Sequence, residues 1–151
     1  MELRSWAYAD IQSIAELEKE CFSDPWNFRM LADSFVSENT FTACAEQDGE
    51  IAGYGFVVAA GEDADIANIA VAPQYRRQGI AGAILEYLSA LAAKSGVKRL
   101  FLEVRVSNAA AMALYIKHGF VGKYARPRYY GDGEDALVMM KELGQEETIC
   151  R

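Results

Sequence analysis

The chain has 151 residues, 52% of them hydrophobic, enough for one full core, and no apolar run approaches the ~18 residues of a membrane span. Fifteen basic against 22 acidic side chains leave a formal charge of -7, which disfavours nucleic acid as a direct partner and favours a cationic acceptor such as an amine or a basic peptide. His118 is the single histidine, so the chemistry is expected to run on carboxylates, tyrosines and backbone groups rather than on a Ser-His-Asp set or a metal. The start, Met1-Glu2-Leu3-Arg4, lacks the apolar stretch of a signal peptide, and the expected location is cytoplasmic. Cys21, Cys44 and Cys150 are odd in number, without C-x-x-C spacing, and read as reduced thiols.

A short strand is expected near Glu2–Trp6. Ile11, Ile14, Ala15, Glu18 and Cys21 then follow helical spacing, with Asp10 at the positive helix start. Asp24-Pro25-Trp26 breaks that helix. Another begins near Asn27, with Phe28, Leu31, Ala32 and Phe35 on one face. Residues 41–47 and 50–60 read as strands joined by Asp48-Gly49, a two-residue hairpin turn that needs positive φ at both positions. A third strand spans about 64–71 and ends before Pro73. A helix over about 79–94 presents Ile80, Ile84, Tyr87, Leu88 and Leu91, and Ser95-Gly96 stops it. A strand over 99–104, a short helix over 108–118 closed by Gly119, and two strands over 120–124 and 135–141 complete the order. The pattern is a mixed α/β sandwich with a central β-α-β-α-β unit. It is expected to form one domain over residues 1–143, with a disordered tail over 144–151.

The sharpest local feature is the passage from the strand at 66–71 into the helix at 79. Arg77, Gln78, Gly79, Ile80, Ala81 and Gly82 are placed in the first turn, where backbone N–H groups lack intrahelical partners. Small residues at 79, 81 and 82 let an anion approach, and Arg76 and Arg77 add mobile positive charge. The alternative is a solvent-facing helix start whose glycines merely ease a turn. No Lys-Ser or Lys-Thr follows these glycines, so a P-loop does not fit. Arg76-Arg77-Gln78-Gly79-Ile80-Ala81 resembles the [QR]-x-x-G-x-[GA] pattern of the GNAT acetyltransferase superfamily. The resemblance implies a GNAT fold, a mixed but mostly antiparallel sheet of six to seven strands flanked by about four helices. It also implies acetyl-CoA as acetyl donor, its pyrophosphate on residues 76–82. Ile69, Ala70 and Val71 then pair with the pantetheine arm, and their amides polarise the thioester carbonyl.

On the strand at 99–104, Leu100, Leu102 and Val104 share one face, Phe101 and Glu103 the other. Glu103 reads either as a strand-end charge pairing with Arg99 or Arg105, or as a general base whose pKa burial raises. Asn108 fits an N-cap, and Tyr115 fits either the helix–sheet interface or a proton donor. Together, Leu102-Glu103-Val104-Arg105, Ser107-Asn108-Ala109-Ala110-Ala111, Leu114-Tyr115 and Gly119-Phe120 resemble the ribosomal-protein-alanine N-acetyltransferases within that superfamily. That resemblance implies Glu103 as base, Asn108 as a coenzyme A contact and Tyr115 as acid. Arg126-Pro127-Arg128-Tyr129-Tyr130 resembles the family's peptide-site loop, and Asp24-Pro25-Trp26 its entry segment, which implies Trp26, Tyr129 and Tyr130 as acceptor contacts; the alternative for all three is exposed or packing aromatics. The implied acceptor is a protein N-terminus, that of a small-subunit ribosomal protein beginning with alanine. Lysine or small-molecule amine acetylation, and a non-catalytic acyl-CoA-binding module, remain alternatives.

Overall fold

The computed structural model describes residues 1–144, so the expected tail from 145 onward lies outside the described residues. Seven strands, β1 (Glu2–Arg4), β2 (Thr40–Gln47), β3 (Glu50–Ala60), β4 (Asp63–Val71), β5 (Arg99–Arg105), β6 (Val121–Arg126) and β7 (Ala136–Glu142), form one sheet in the order β1-β2-β3-β4-β5-β7-β6. The helices are α1 (Ile11–Cys21), α2 (Phe28–Phe35), α3 (Ile80–Lys94) and α4 (Ala109–Lys117). Every neighbouring strand pair is antiparallel except β4–β5.

Local chemistry explains most boundaries. Asp48 and Gly49 both take positive φ, 54° and 77°, as the β2–β3 turn requires. The Asn27 side chain accepts the Met30 N–H at 2.9 Å and starts α2. Asn108 accepts from Ala111 N–H at 3.1 Å and starts α4, and left-handed Gly119 ends it.

Two cores flank the sheet. Ile80, Ile84, Leu85, Leu88 and Ala92 of α3 pack on Leu100, Leu102 and Val104 of β5 and on Val57 and Ile66. Tyr87 and Leu91, expected at the centre of that face, lie only half-buried at its margins, while Leu85 and Ala92 take the buried positions. On the opposite face, Ile11, Ile14 and Leu31 of α1 and α2 close over Tyr54, Phe56 and Trp6. Gly53 and Gly55 let α3 approach β3: a Cβ on Gly55 meets Ile84 and Leu88 at 3.0 Å.

The feature that creates a site is a split in the sheet. β4 and β5 pair at Asp63–Arg99, Ala64–Leu100 and Asp65–Phe101, and the register goes no further. β4 meanwhile stays on β3 as far as Val71, through a bulge where Ile66 and Asn68 face Val57 and Phe56 with Ala67 between. Such bulges add local twist and bend the strand. Past Asp65 the two central strands therefore diverge.

Candidate active site

A cleft of about 510 Å³ occupies this split. One wall is β4, with Ile66, Ala67, Asn68 and Ile69. The other is β5 and α4, with Glu103, Asn108, Ala111 and Tyr115. The α1–α2 turn, including Cys21 and Trp26, and the β6–β7 loop, including Tyr130 and Asp132, flank its mouth. Among the residues expected to act, the structure thus brings Ile69, Glu103, Asn108, Tyr115, Trp26 and Tyr130 to one cavity.

The β4 edge offers backbone groups rather than side chains. Ala72 N–H donates to Ala52 O at 2.8 Å, so by alternation the Ala70 N–H also turns toward β3. The N–H groups of Ile69 and Val71 point the other way, into the split. The trio expected from sequence therefore reduces to two, because Ala70 spends its amide inside the ladder.

Glu103 shares its face with Phe101 and Arg105, away from the α3 core. Its ion-pair partner is Arg126 of β6, at 3.5 Å, and neither Arg99 nor Arg105. Arg99 pairs with Asp63 at 2.6 Å, and Arg105 with Asp132 and Glu134. Burial and then the nearby Asp65 carboxylate push the Glu103 pKa above the usual carboxylate value, against the lowering effect of Arg126. Tyr115 packs edge-on against Phe120, 5.8 Å between ring centroids, and burial holds its phenol protonated with a pKa pushed up to about 12. Asn108 both caps α4 and lines the cleft.

The turn before α3 differs from its expected form. The helix begins at Ile80, with Gly79 as left-handed N-cap, so Arg77 and Gln78 precede it. Arg77 is itself left-handed, φ 64°, a conformation uncommon outside glycine that recurs where successive N–H groups converge on an anion. Ala83 N–H makes the bond back to Gly79 O at 3.1 Å, which leaves the amides of Ile80, Ala81 and Gly82 ahead of the helical ladder. The side chain of Ile80 is core. Space above Gly79 is open, but a Cβ on Gly82 meets His118 Nε2 at 2.8 Å, so the small size of Gly82 serves an imidazole rather than a phosphate. Arg76 folds back on its own strand and on α1: Nε donates to Val71 O at 3.0 Å and Nη2 reaches Cys21 Sγ at 3.7 Å. Cys21 packs against the second core and also lines the cleft, and burial raises its pKa. Cys44 is fully buried.

At the mouth, Trp26 stacks edge-on against Phe56 at 5.0 Å. Tyr130 lines the cleft, whereas Tyr129 packs against it from outside, 5.1 Å between rings and half-exposed. Two residues emerge that sequence reasoning passed over. Glu18, in helical register with Ile11, Ile14 and Ala15, is fully buried. It accepts Trp26 N–H at 2.9 Å, Tyr54 O–H at 2.5 Å and Asn68 Nδ2 at 2.7 Å, joining the mouth to the β4 bulge. Its signal is a charged residue at an apolar position of an amphipathic helix. Arg105 carries the Tyr130 ring 4.1 Å from its guanidinium carbon, and only the carboxylates at 132 and 134 hint at this. No group of three or more potential metal ligands occurs among the described residues.

The acetyltransferase (GNAT) family model matches residues 11–120. A [ribosomal protein bS18]-alanine N-acetyltransferase of Escherichia coli (strain K12) is 38% identical over 133 residues, 86% of this chain and 89% of that protein. An N-alpha-acetyltransferase of Sulfurisphaera tokodaii is 30% identical over 154 aligned positions, 93% and 92% of the two chains. The crystal structure of the ribosomal-protein-S18-alanine N-acetyltransferase from Escherichia coli superposes with a TM-score of 0.86 at 35% identity, covering 94% of this chain and 93% of that one.

Proposed function

This chain belongs to the GNAT acetyltransferase family and is an N-acetyltransferase, and from that membership we propose that it moves the acetyl group of acetyl-CoA onto a protein N-terminal α-amine, that of a ribosomal protein beginning with alanine. The cleft at the β4–β5 split carries the reading, because it presents a base, a proton donor and an unpaired strand edge to one cavity. The acceptor assignment draws its support from the name of the Escherichia coli relative at 38% identity. A ribosomal target also agrees with a cytoplasmic protein, and no helix among the described residues is long and apolar enough to cross a membrane.

The residues fit coenzyme A on two counts. The amides of Ile80, Ala81 and Gly82, with Arg77 and Gly79 left-handed before them, form an anion site at the start of a 15-residue helix. The free edge of β4 matches the amide-rich pantetheine arm, which can pair with it as an added strand does. Bound there, acetyl-CoA supplies a thioester, and the rest is the work of the chain. The Ile69 and Val71 N–H groups, turned away from β3, would be the donors for charge that develops on the thioester oxygen of bound acetyl-CoA. Glu103 takes the ammonium proton of the acceptor; an α-amine, with a pKa of about 8, needs less help than a lysine at about 10.4. Tyr115, protonated across the working pH range, donates its phenolic hydrogen to the departing sulfur. Transfer by direct attack needs no covalent enzyme intermediate, and it is favoured by the full burial of Cys44 and the raised pKa of Cys21.

The test is mass spectrometry on a mixed panel: free N-terminal peptides, including alanine-initiated ones, N-blocked lysine peptides, and small amines. Acetylation confined to free N-termini is expected, strongest on alanine. Acetylation of blocked lysine peptides or of small amines alone overturns the acceptor assignment, and coenzyme A binding without transfer to anything overturns catalysis.

A further inference from the structure

We propose that Arg105 is a positioning residue for the acceptor half of the cleft, acting through Tyr130. The proposal rests on the reading of that cleft as the acetyl-transfer site. Arg105 ends β5 two residues beyond Glu103, on the same face. Its Nη1 donates to Asp132 Oδ2 at 2.8 Å and to Glu134 Oε1 at 2.9 Å, both on the β6–β7 loop. The ring of Tyr130, from the same loop, lies over its guanidinium at 4.1 Å. The second oxygen of Glu134 accepts Ser107 N–H at 2.9 Å, tying the loop to the turn that leads into Asn108. Within the loop, Tyr130 N–H donates to Glu134 O at 3.2 Å and Gly133 N–H to Tyr130 O at 2.9 Å.

One guanidinium therefore closes a circuit from β5 through the loop to the β5–α4 turn, and Tyr130 is the part of it that reaches the cleft. Without the cation, Asp132 and Glu134 face each other as like charges and the Tyr130 ring loses its support. A lysine keeps the charge, and its single nitrogen can meet both carboxylates as Nη1 does here, but it offers no flat surface for the Tyr130 ring. Arg105 touches neither reacting atom. It sets where Tyr130 stands while an acceptor enters past it.

The experiment uses the full chain with a synthetic peptide bearing a free N-terminal alanine. Arg105→Lys is expected to raise the KM for this peptide about three- to fivefold, the order of a weakened cation–π contact at a partly exposed site. The KM for acetyl-CoA changes less, within about twofold, since of the residues proposed to hold it only Asn108 adjoins the clamped turn. Amide hydrogen exchange at Tyr130 and Gly133 accelerates. In a Tyr130→Leu background, Arg105→Lys adds less than about twofold, because two residues acting as a unit are not additive. Asp132→Asn, which removes one arm of the clamp, shifts the peptide KM in the same direction by less. Equal rises in KM for both substrates, or multiplication of the Arg105 and Tyr130 effects, overturn the assignment. If the wild-type protein acetylates no peptide, the acceptor reading fails on its own; unchanged exchange at Tyr130 and Gly133 in Arg105→Lys overturns the clamp in either case.

Discussion

Glu103 sits among three influences whose signs differ. Burial disfavours its charged form, Asp65 repels it, and Arg126 at 3.5 Å favours it. The first two win, so the carboxyl titrates above the ordinary value. A base must be deprotonated to act, so its pKa appears as the acidic limb of kcat/KM against pH. Asp65→Asn removes a charge that raises the Glu103 pKa, and the limb is expected to move to lower pH. Removing the cation with Arg126→Gln has the opposite sign, and the limb moves up. Glu103→Gln lowers kcat by about 10²-fold or more, most clearly below pH ~7.5, where the amine most needs deprotonation. Rate profiles between pH 5 and 9 for the three variants test all of this. Limbs that move together, or full wild-type turnover in Glu103→Gln, remove Glu103 from the base role.

Among the elements, α1 carries the least expected burden. Glu18 reaches across the sheet's upper face to Tyr54 on β3, Asn68 on β4 and the Trp26 amide, with no cation against it among the described residues. Three donors satisfy one carboxylate, and removing it strands all three. Glu18→Ala is expected to cost about 3 kcal/mol or more, since each buried unsatisfied group costs about 1–3 kcal/mol. Urea unfolding measures this, and a loss below about 1 kcal/mol shows that water repairs the network. Such contacts mark the border of what the sequence made legible. Asp48-Gly49, Asn27, Asn108 and Gly119 act within a few residues of themselves, and the turn and caps they predict are where expected. Glu103, Asn108 and Tyr115 could be singled out because a recurring motif links them. Glu18 with Asn68, Gly82 with His118, and Arg105 with Tyr130 depend on partners 25 to 50 positions away, which no local pattern discloses. Arg76 combines both ranges, its side chain bonded to Val71 five positions before it and to Cys21 across the fold.

At the scale of the whole molecule, the sheet is incomplete in one place. β4 has a neighbour on both sides up to Asp65 and on one side after it, so the Ile69 and Val71 amides turn away from β3 with no strand opposite; Ile69 lines the cleft, while the Val71 carbonyl is taken by Arg76. Edge groups of this kind normally lie at the rim of a sheet. An interior edge is stable only if solvent or a ligand satisfies it, and a ligand that does so ties the two halves of the sheet together. Coenzyme A, proposed to bind this edge and the turn before α3, is therefore expected to stabilise the protein. At 100 times its Kd the gain is about 2.7 kcal/mol, or about 5–10 °C in melting temperature for a chain of this size. Hydrogen exchange should slow at Ile69 and Val71 and at the amides over 80–82, while Ala70, already bonded to β3, changes little. Adenosine 3′,5′-bisphosphate, which lacks the pantetheine arm, separates the two regions: it leaves Ile69 and Val71 exchanging at their free rate. Protection spread evenly over the sheet, or no rise in melting temperature with coenzyme A, places the donor outside the split and overturns the cleft as the site of transfer.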